Sequence, residues 1–262
     1  MGDKLTKNEL YDEIKAEHVI AAIQSFRNDV KNWKEYKKGN YFVYYEDEFY
    51  PSREIVRRAY EELPSGRKVT SDFLHGRGGI GKGHIADVLQ EKGFIIKTKE
   101  EMKQIEQEQE VSADFIFIGD VNKETTSTDY VEYIPRPEKR LEPLQSQGRI
   151  VYIRRKEISI NALKRAGHLC EVDNRHPGFI RKSDGTNYTE PHHLIPMCMQ
   201  RFFENSLDVE ANIVSLCSNC HNLLHYGKDK VEILKQLYDL RKNELKEAGI
   251  EITFNDLLDM YA

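Results

Sequence analysis

The residues in this chain that could do chemistry sit close together. All four cysteines (Cys170, Cys198, Cys217 and Cys220) fall between positions 170 and 225, as do five of the nine histidines (His176, His192, His193, His221 and His225). Cys217-x2-Cys220 is a chelating pair, because two thiolates at that spacing on a turn can bind one tetrahedral zinc. Cys170 is the natural third ligand. Position 173, where a second cysteine would complete another pair, holds Asp173. The fourth ligand therefore stays open among His176, Asp173 and Cys198. His176 is preferred, since an imidazole suits a closed zinc site better than a carboxylate. The plainer alternative is that Cys170 and Cys198 are buried thiols and no zinc is bound. Clustered cysteines in a cytosolic chain point to metal before disulfide.

The histidines suggest a second site. His192 and His193 follow a strand-like stretch, NYTEP. Neighbouring residues on a strand point to opposite sides, so one imidazole can bind an ion while the other faces a substrate. His221 and His225 are four apart, which on a helix places both on one face. A single histidine here would be an ordinary surface or core residue; the cluster is what argues. His192, His221 and His225 can surround one divalent ion and leave His193 free as a base. That division of labour suits hydrolysis of a phosphodiester. An ion stabilises charge on the phosphate and the leaving oxygen. A neutral imidazole, with an ordinary pKa of about 6.5, activates water near neutral pH.

The run Pro191-His192-His193-Leu194-Ile195-Pro196, then Asn212, then Cys217-Ser218-Asn219-Cys220-His221-x3-His225, resembles the HNH (ββα-metal) nuclease motif. It is especially similar to McrA-like restriction endonucleases over roughly residues 150–247, and His221-x3-His225 is also similar to the nuclease colicins. The resemblance implies a two-strand hairpin and a helix gripping one divalent ion (Mg2+, Mn2+, Ni2+ or Zn2+). It makes His193 the general base, His192, His221 and His225 the ligands of that ion, and Asn212 the residue that holds the loop and the base's orientation. Double-stranded DNA is then the substrate. A cut in each strand implies a homodimer or transient pairing of two sites. The departure from the pattern is Asp173, which puts the fourth ligand of the structural Zn2+ in question but not the catalytic group.

The elements that must position these residues are expected to form an α+β protein. An N-terminal mixed α/β recognition domain covers 1–120, a linker covers 121–148, and a zinc-stabilised ββα-metal nuclease domain with C-terminal helices covers 149–262. Residues 8–28 read as an amphipathic helix, 41–50 as a hairpin around an acidic turn, and SREIVRRAYEEL as a helix capped by Ser52. HIADVLQEKG reads as a helix and FIIK as a short strand. Residues 97–113 read as a solvated helix or linker, FIFIGD (115–120) as a strand, IVYIRR as strand-like, Ser159–Ala166 as a helix and 229–247 as the helix that follows the cluster. The order of aromatic hairpin, helix and closing strand is loosely similar to the head domain of ScoMcrA-type restriction proteins, which implies a DNA-reading or DNA-docking module that could sense modified bases. Arg53, Arg57, Arg58, Arg67 and Lys68 with Tyr41, Tyr44 and Tyr45 could supply phosphate contacts and stacking; equally, the tyrosines could be strand core and the arginines a solvated face.

Gly76-x4-Gly81-Lys82 comes close to a phosphate-binding P-loop, but Gly83 stands where a hydroxyl should meet magnesium. A flexible turn is the simpler reading, with Arg77 and Lys82 touching a DNA phosphate as a middle course. Net charge is −5, yet residues 139–201 hold twelve Lys/Arg against six Asp/Glu, so the basic surface coincides with the cluster. No apolar run reaches the roughly 18 residues of a membrane helix and the N-terminus is polar, so a cytoplasmic protein is expected. Two rivals remain: a zinc-stabilised DNA-binding protein without catalysis, which would not need His193, and a nuclease acting on RNA or structured DNA.

Overall fold

The computed structural model describes residues 12–29, 39–63, 85–123, 130–146 and 149–261. The glycine loop with Arg77 and Lys82, and Arg67 and Lys68, lie outside them. Two compact units make up the chain: 1–105 with 145–150, and 106–144 with 151–262. The division falls inside one helix, at 105/106, whereas the sequence reading set a linker at 121–148. The fold is mixed α and β, with only small sheets. Among the described residues, no helix is long and apolar enough to cross a membrane.

In the first unit, α1 (Ala16–Asp29), β1 (Tyr41–Tyr45), β2 (Glu48–Pro51), α2 (Ser52–Glu61), α3 (Ile85–Glu91) and β3 (Ile95–Thr98) follow one another. The sheet is antiparallel, in the order β2-β1-β3. Tyr45 pairs with Glu48, leaving Glu46 and Asp47 as a two-residue turn with φ of 50° and 59°. Two left-handed residues in succession match the right-handed twist of the flanking strands. Ile23, Phe26, Phe42, Phe49, Tyr50 and Tyr60 fill the core, each worth about 1.5–3 kcal/mol or more in burial. Ser52 is the first residue of α2 rather than its cap; Pro51 holds the cap position and no side chain caps the helix. A fixed proline φ at that step makes the turn into the helix without a hydroxyl.

The arginines of α2 divide. Arg53 is exposed. Arg57 is paired with Glu54 at 2.6 Å and Glu61 at 2.5 Å. Arg58 is buried, bonding Glu54 and Ser25 and lying 5.3 Å from the Phe26 ring centre. Tyr41, Tyr44 and Tyr45 are half-buried.

FIFIGD is not a strand. One α-helix, α4 (Lys99–Val121), runs through both that stretch and the preceding charged segment. The residues Phe115 to Ile118 favour strands when taken alone. In the helix, however, Asp114, Ile118 and Val121 are buried on one face while Phe115 and Ile116 are 80% and 66% exposed. That is helical periodicity overriding local propensity.

The second unit is built around a two-stranded antiparallel sheet, β6 (Glu190–His193) with β7 (Ile213–Leu216), followed at once by helix α6 (Ser218–Tyr226). The short two-stranded sheet of β4 (Leu144–Ser146) and β5 (Arg149–Val151) belongs with the first unit over 145–150, and only the start of IVYIRR is strand. Helix α5 (Lys156–Arg165) ends in a left-handed Gly167 at φ 62°, with the His168 N–H returning to the Leu163 carbonyl at 2.9 Å. That reversal aims the chain at the sheet, where the Glu171 N–H bonds the Ser215 carbonyl at 2.8 Å. Cys170 is thereby set beside the end of β7, where Cys217 begins the next helix. Helix α7 (Val231–Glu247) covers the module with Leu234, Leu237 and Leu245, and its buried Arg241 bonds Glu171. Helix α8 (Phe254–Met260), with Thr253 and Asp256 forming a capping box, closes the fold.

Candidate metal centres

Two groups of ligand-type side chains converge in the second unit. In each, the ligand atoms all lie within 4.8 Å of one another.

The first group is Cys170, His176, Cys217 and Cys220. Cys217 is the N-cap of α6 and Cys220 lies in its first turn. A helix N-terminus favours thiolate there. His176 presents Nδ1, 3.6 Å from Cys217 Sγ and 3.3 Å from Cys220 Sγ. The Cys170 thiol is held down to about 7: burial would raise it, but N–H groups of Cys217, Asp173 and Val172 and the His176 ring favour the thiolate. Burial, with the neighbouring sulfurs, pushes Cys220 up. The other two candidates for fourth ligand are elsewhere. Asp173 is engaged by Arg175 at 2.8 Å, and Cys198 lies outside the group.

The second group is His192, His221 and His225 with a residue the sequence reading did not single out, Asp114. All four are buried. His225 Nε2 is 3.3 Å from His221 Nε2 and 3.1 Å from Asp114 Oδ2. His192 Nδ1 and His221 Nε2 lie 3.8 and 3.9 Å from the same oxygen. Hydrogen bonds fix which nitrogens face inward. Tyr261 donates its hydroxyl to the Leu194 carbonyl at 2.9 Å, so its oxygen accepts the His192 Nε2–H at 2.8 Å. His192 Nδ1 is then a bare lone pair, buried and without a hydrogen-bond partner among the described residues. His221 donates Nδ1–H to Glu190 at 3.0 Å, and Glu190 also accepts from Ser218 at 2.7 Å.

Burial and the neighbouring imidazoles hold His192 well below the ordinary histidine value, so it stays neutral. Burial would raise Asp114, but Arg154 and the histidines hold it low as a carboxylate. Three inward ring nitrogens, the outward N–H groups of His192 and His221 anchored on oxygen, and an anionic neighbour are the donor chemistry of a divalent-ion site. The residues therefore fit an ion.

His193 takes the other side of β6. Its Nε2 lies 3.0 Å from Asp208 Oδ1. Burial would raise Asp208, but His193 and the Arg155 contacts keep it ionised. With Asp208 ionised, His193 Nε2 donates the proton of that hydrogen bond. The Phe117 ring of α4 is 6.4 Å away, centre to centre. Asn212 is fully buried. Its side chain accepts from the Ile195 N–H at 2.8 Å and donates to the carbonyls of Ile195 and Leu207 at 3.0 and 2.9 Å, while its own carbonyl accepts from Leu194 N–H at 2.8 Å. It clamps the loop that leaves β6 directly after His193.

One stretch of the chain is similar to a restriction enzyme. Over 106 residues it is 31% identical to the type IV methyl-directed restriction enzyme EcoKMcrA of Escherichia coli (strain K12). The matched stretch is 40% of this chain and 36% of that relative, so the chain spans about a third of the relative's length. No protein-family model matches the chain.

Asp114, Arg154, Glu190, Asp208 and Tyr261 are site residues that the sequence did not single out. A buried acidic residue at the centre of a long helix gives a weak signal; its position four residues after Glu110 and three before Phe117, on one helical face, was the available one.

Proposed function

We propose that the second unit is an HNH-type nuclease domain of a restriction DNA endonuclease acting on double-stranded DNA in the cytoplasm. His192, His221 and His225 would hold one divalent ion, and Cys170, His176, Cys217 and Cys220 a structural zinc. A bound ion would stabilise charge on the scissile phosphate and the leaving oxygen. His193, held by Asp208, accepts the proton of the attacking water. Asn212 keeps the base in register with the ligands by fixing the loop between them. Imidazole-rich donors suit Mn2+, Ni2+ or Zn2+ better than Mg2+. The first unit would read or dock DNA, with Arg53 the one exposed cation of α2 that its own helix leaves uncommitted; Arg57 is less suited, being already paired with two glutamates. Two cuts per duplex imply pairing of two copies.

The observation that carries this reading is the set of four imidazoles in which three turn a ring nitrogen toward one point and the fourth, on the adjacent strand residue, is anchored by a carboxylate. The partial likeness to a methyl-directed restriction enzyme supports DNA as substrate and makes modified DNA the first to try. The test is cleavage of methylated and unmethylated plasmid with Mn2+, Ni2+ or Mg2+ by the wild type and by His193→Ala. If both proteins bind DNA and neither cuts it under any condition, a non-catalytic DNA-binding protein is the better reading.

A further inference from the structure

A nuclease centre must admit a phosphodiester, and this one is covered. His192, His221 and His225 are 3%, 6% and 8% exposed and Asp114 is 4% exposed. The cover is the stretch of α4 that belongs to the same unit as the site. Its residues Gln107, Glu110, Asp114 and Phe117 recur at helical spacing and share one face. Gln107 donates to the His225 carbonyl. Glu110 accepts from the N–H groups of Met197 and Cys198 at 3.2 and 3.3 Å. Asp114 is set among the three inward nitrogens, and Phe117 lies over His193.

Arg154, its side chain 8% exposed, joins this face to the module by pairing with both Asp114 and Glu110. An anionic oxygen between three imidazole nitrogens, backed by a guanidinium, is the environment that a scissile phosphate oxygen would need.

We infer, on the reading above, that Asp114 is a built-in stand-in for the substrate phosphate. Its carboxylate is the fourth ligand of the histidine-lined ion in the resting protein, and DNA engages the centre only when this part of α4 withdraws. The exchange is balanced in charge: one carboxylate leaves, one phosphodiester enters, and Arg154 is handed from the first anion to the second. The exposed face of α4 suits such a segment, since Phe115 and Ile116 are left in solvent and the contacts of the inner face are mostly polar.

The test uses the full chain. Asp114→Asn keeps the shape and removes the charge. In protein that keeps zinc at the thiolate group and is cleared of weaker ions by a mild chelator, Mn2+ or Co2+ affinity at the second group should fall by about tenfold or more, as for loss of an anionic ligand. At saturating ion, the same variant should cut DNA severalfold faster than wild type. Should Asp114→Asn fail to fold, Gln107→Ala, which changes an exposed side chain, releases one anchor of the cover and should also raise cleavage.

Unchanged ion affinity would show that Asp114 is not a ligand. Cleavage lowered at saturating ion in Asp114→Asn, or not raised in Gln107→Ala where that variant stands in, would overturn the stand-in role. The ion-affinity arm is read without DNA, so it remains decisive if the wild type proves not to cut at all, an outcome that would count against the nuclease reading instead.

Discussion

Helix α6 carries ligand atoms for two clusters. Cys217 at its N-cap and Cys220 in its first turn meet Cys170 and His176, whereas His221 and His225 meet His192 and Asp114. The thiolate cluster draws its partners from a loop pinned to the end of β7, and the groups set around Cys170 are backbone amides and one imidazole. The imidazole cluster draws on a strand, a helix and a covering segment, and three of its four members are steered by a second polar group: Tyr261 behind His192, Glu190 behind His221, Arg154 behind Asp114. A group of three sulfurs and one nitrogen is chemically complete for zinc and useful mainly for holding chain together. Three imidazoles and an exchangeable carboxylate are useful for chemistry, and need outside anchors because nothing else fixes the rings.

That contrast can be broken experimentally. The largest effect should follow loss of the thiolate cluster. Cys220→Ala, or a chelator strong enough to strip zinc, should unfold the second unit, because binding energy in a small metal domain is folding energy. His221→Ala should leave zinc content and the melting temperature nearly unchanged while abolishing cleavage. Thermal melts with zinc quantification decide this, and equal melting losses in both variants would erase the proposed division.

Next comes the base. His193→Ala should lower the cleavage rate by about 10^2–10^4-fold with DNA affinity retained in a binding assay. Glu190→Gln, which leaves His221 but weakens its anchor, should reduce ion affinity at the imidazole cluster by about 10–100-fold, measured by titration calorimetry, without touching the zinc.

A pH series sharpens the same point. Burial depresses His192 in the folded protein, so protonation favours the unfolded chain. The stability this group contributes is complete above the unfolded value of about 6.5 and is lost as pH falls below it. In ion-free protein the melting temperature of the second unit should therefore drop through that window. The smallest effect is Tyr261→Phe, which forfeits the His192 and Leu194 hydrogen bonds and should cost about 1 kcal/mol with a modest loss of ion affinity.

The two clusters were unequally legible in the sequence. Chelating spacing names Cys217 and Cys220, and helical spacing names His221 and His225, because a turn and a helix face are local facts. His176 could be ranked above Asp173 on ligand chemistry, and the structure places it against both cysteines. Asp114 was not legible. It lies in a stretch where Phe115, Ile116, Phe117 and Ile118 favour a strand, and only packing against the histidines reveals the helix and the face it uses. Tyr261 was hidden for a similar reason: its role depends on α8 folding back onto β6, a contact 69 residues distant in the chain. The acidic hairpin turn and the helix read over 229–247, found at Val231–Glu247, were readable because period and turn chemistry agreed with the fold; the strand read in NYTEP lies a little later, at Glu190–His193, and includes both histidines.

The most direct measurement of the central claim is plasmid cleavage with Mn2+ by the wild type beside His193→Ala, each on methylated and unmethylated DNA, with melting and zinc content checked for both. The expected result is ion-dependent cutting by the wild type and at least a hundredfold loss in the variant, with folding unchanged. Cutting by His193→Ala at the wild-type rate would contradict the account.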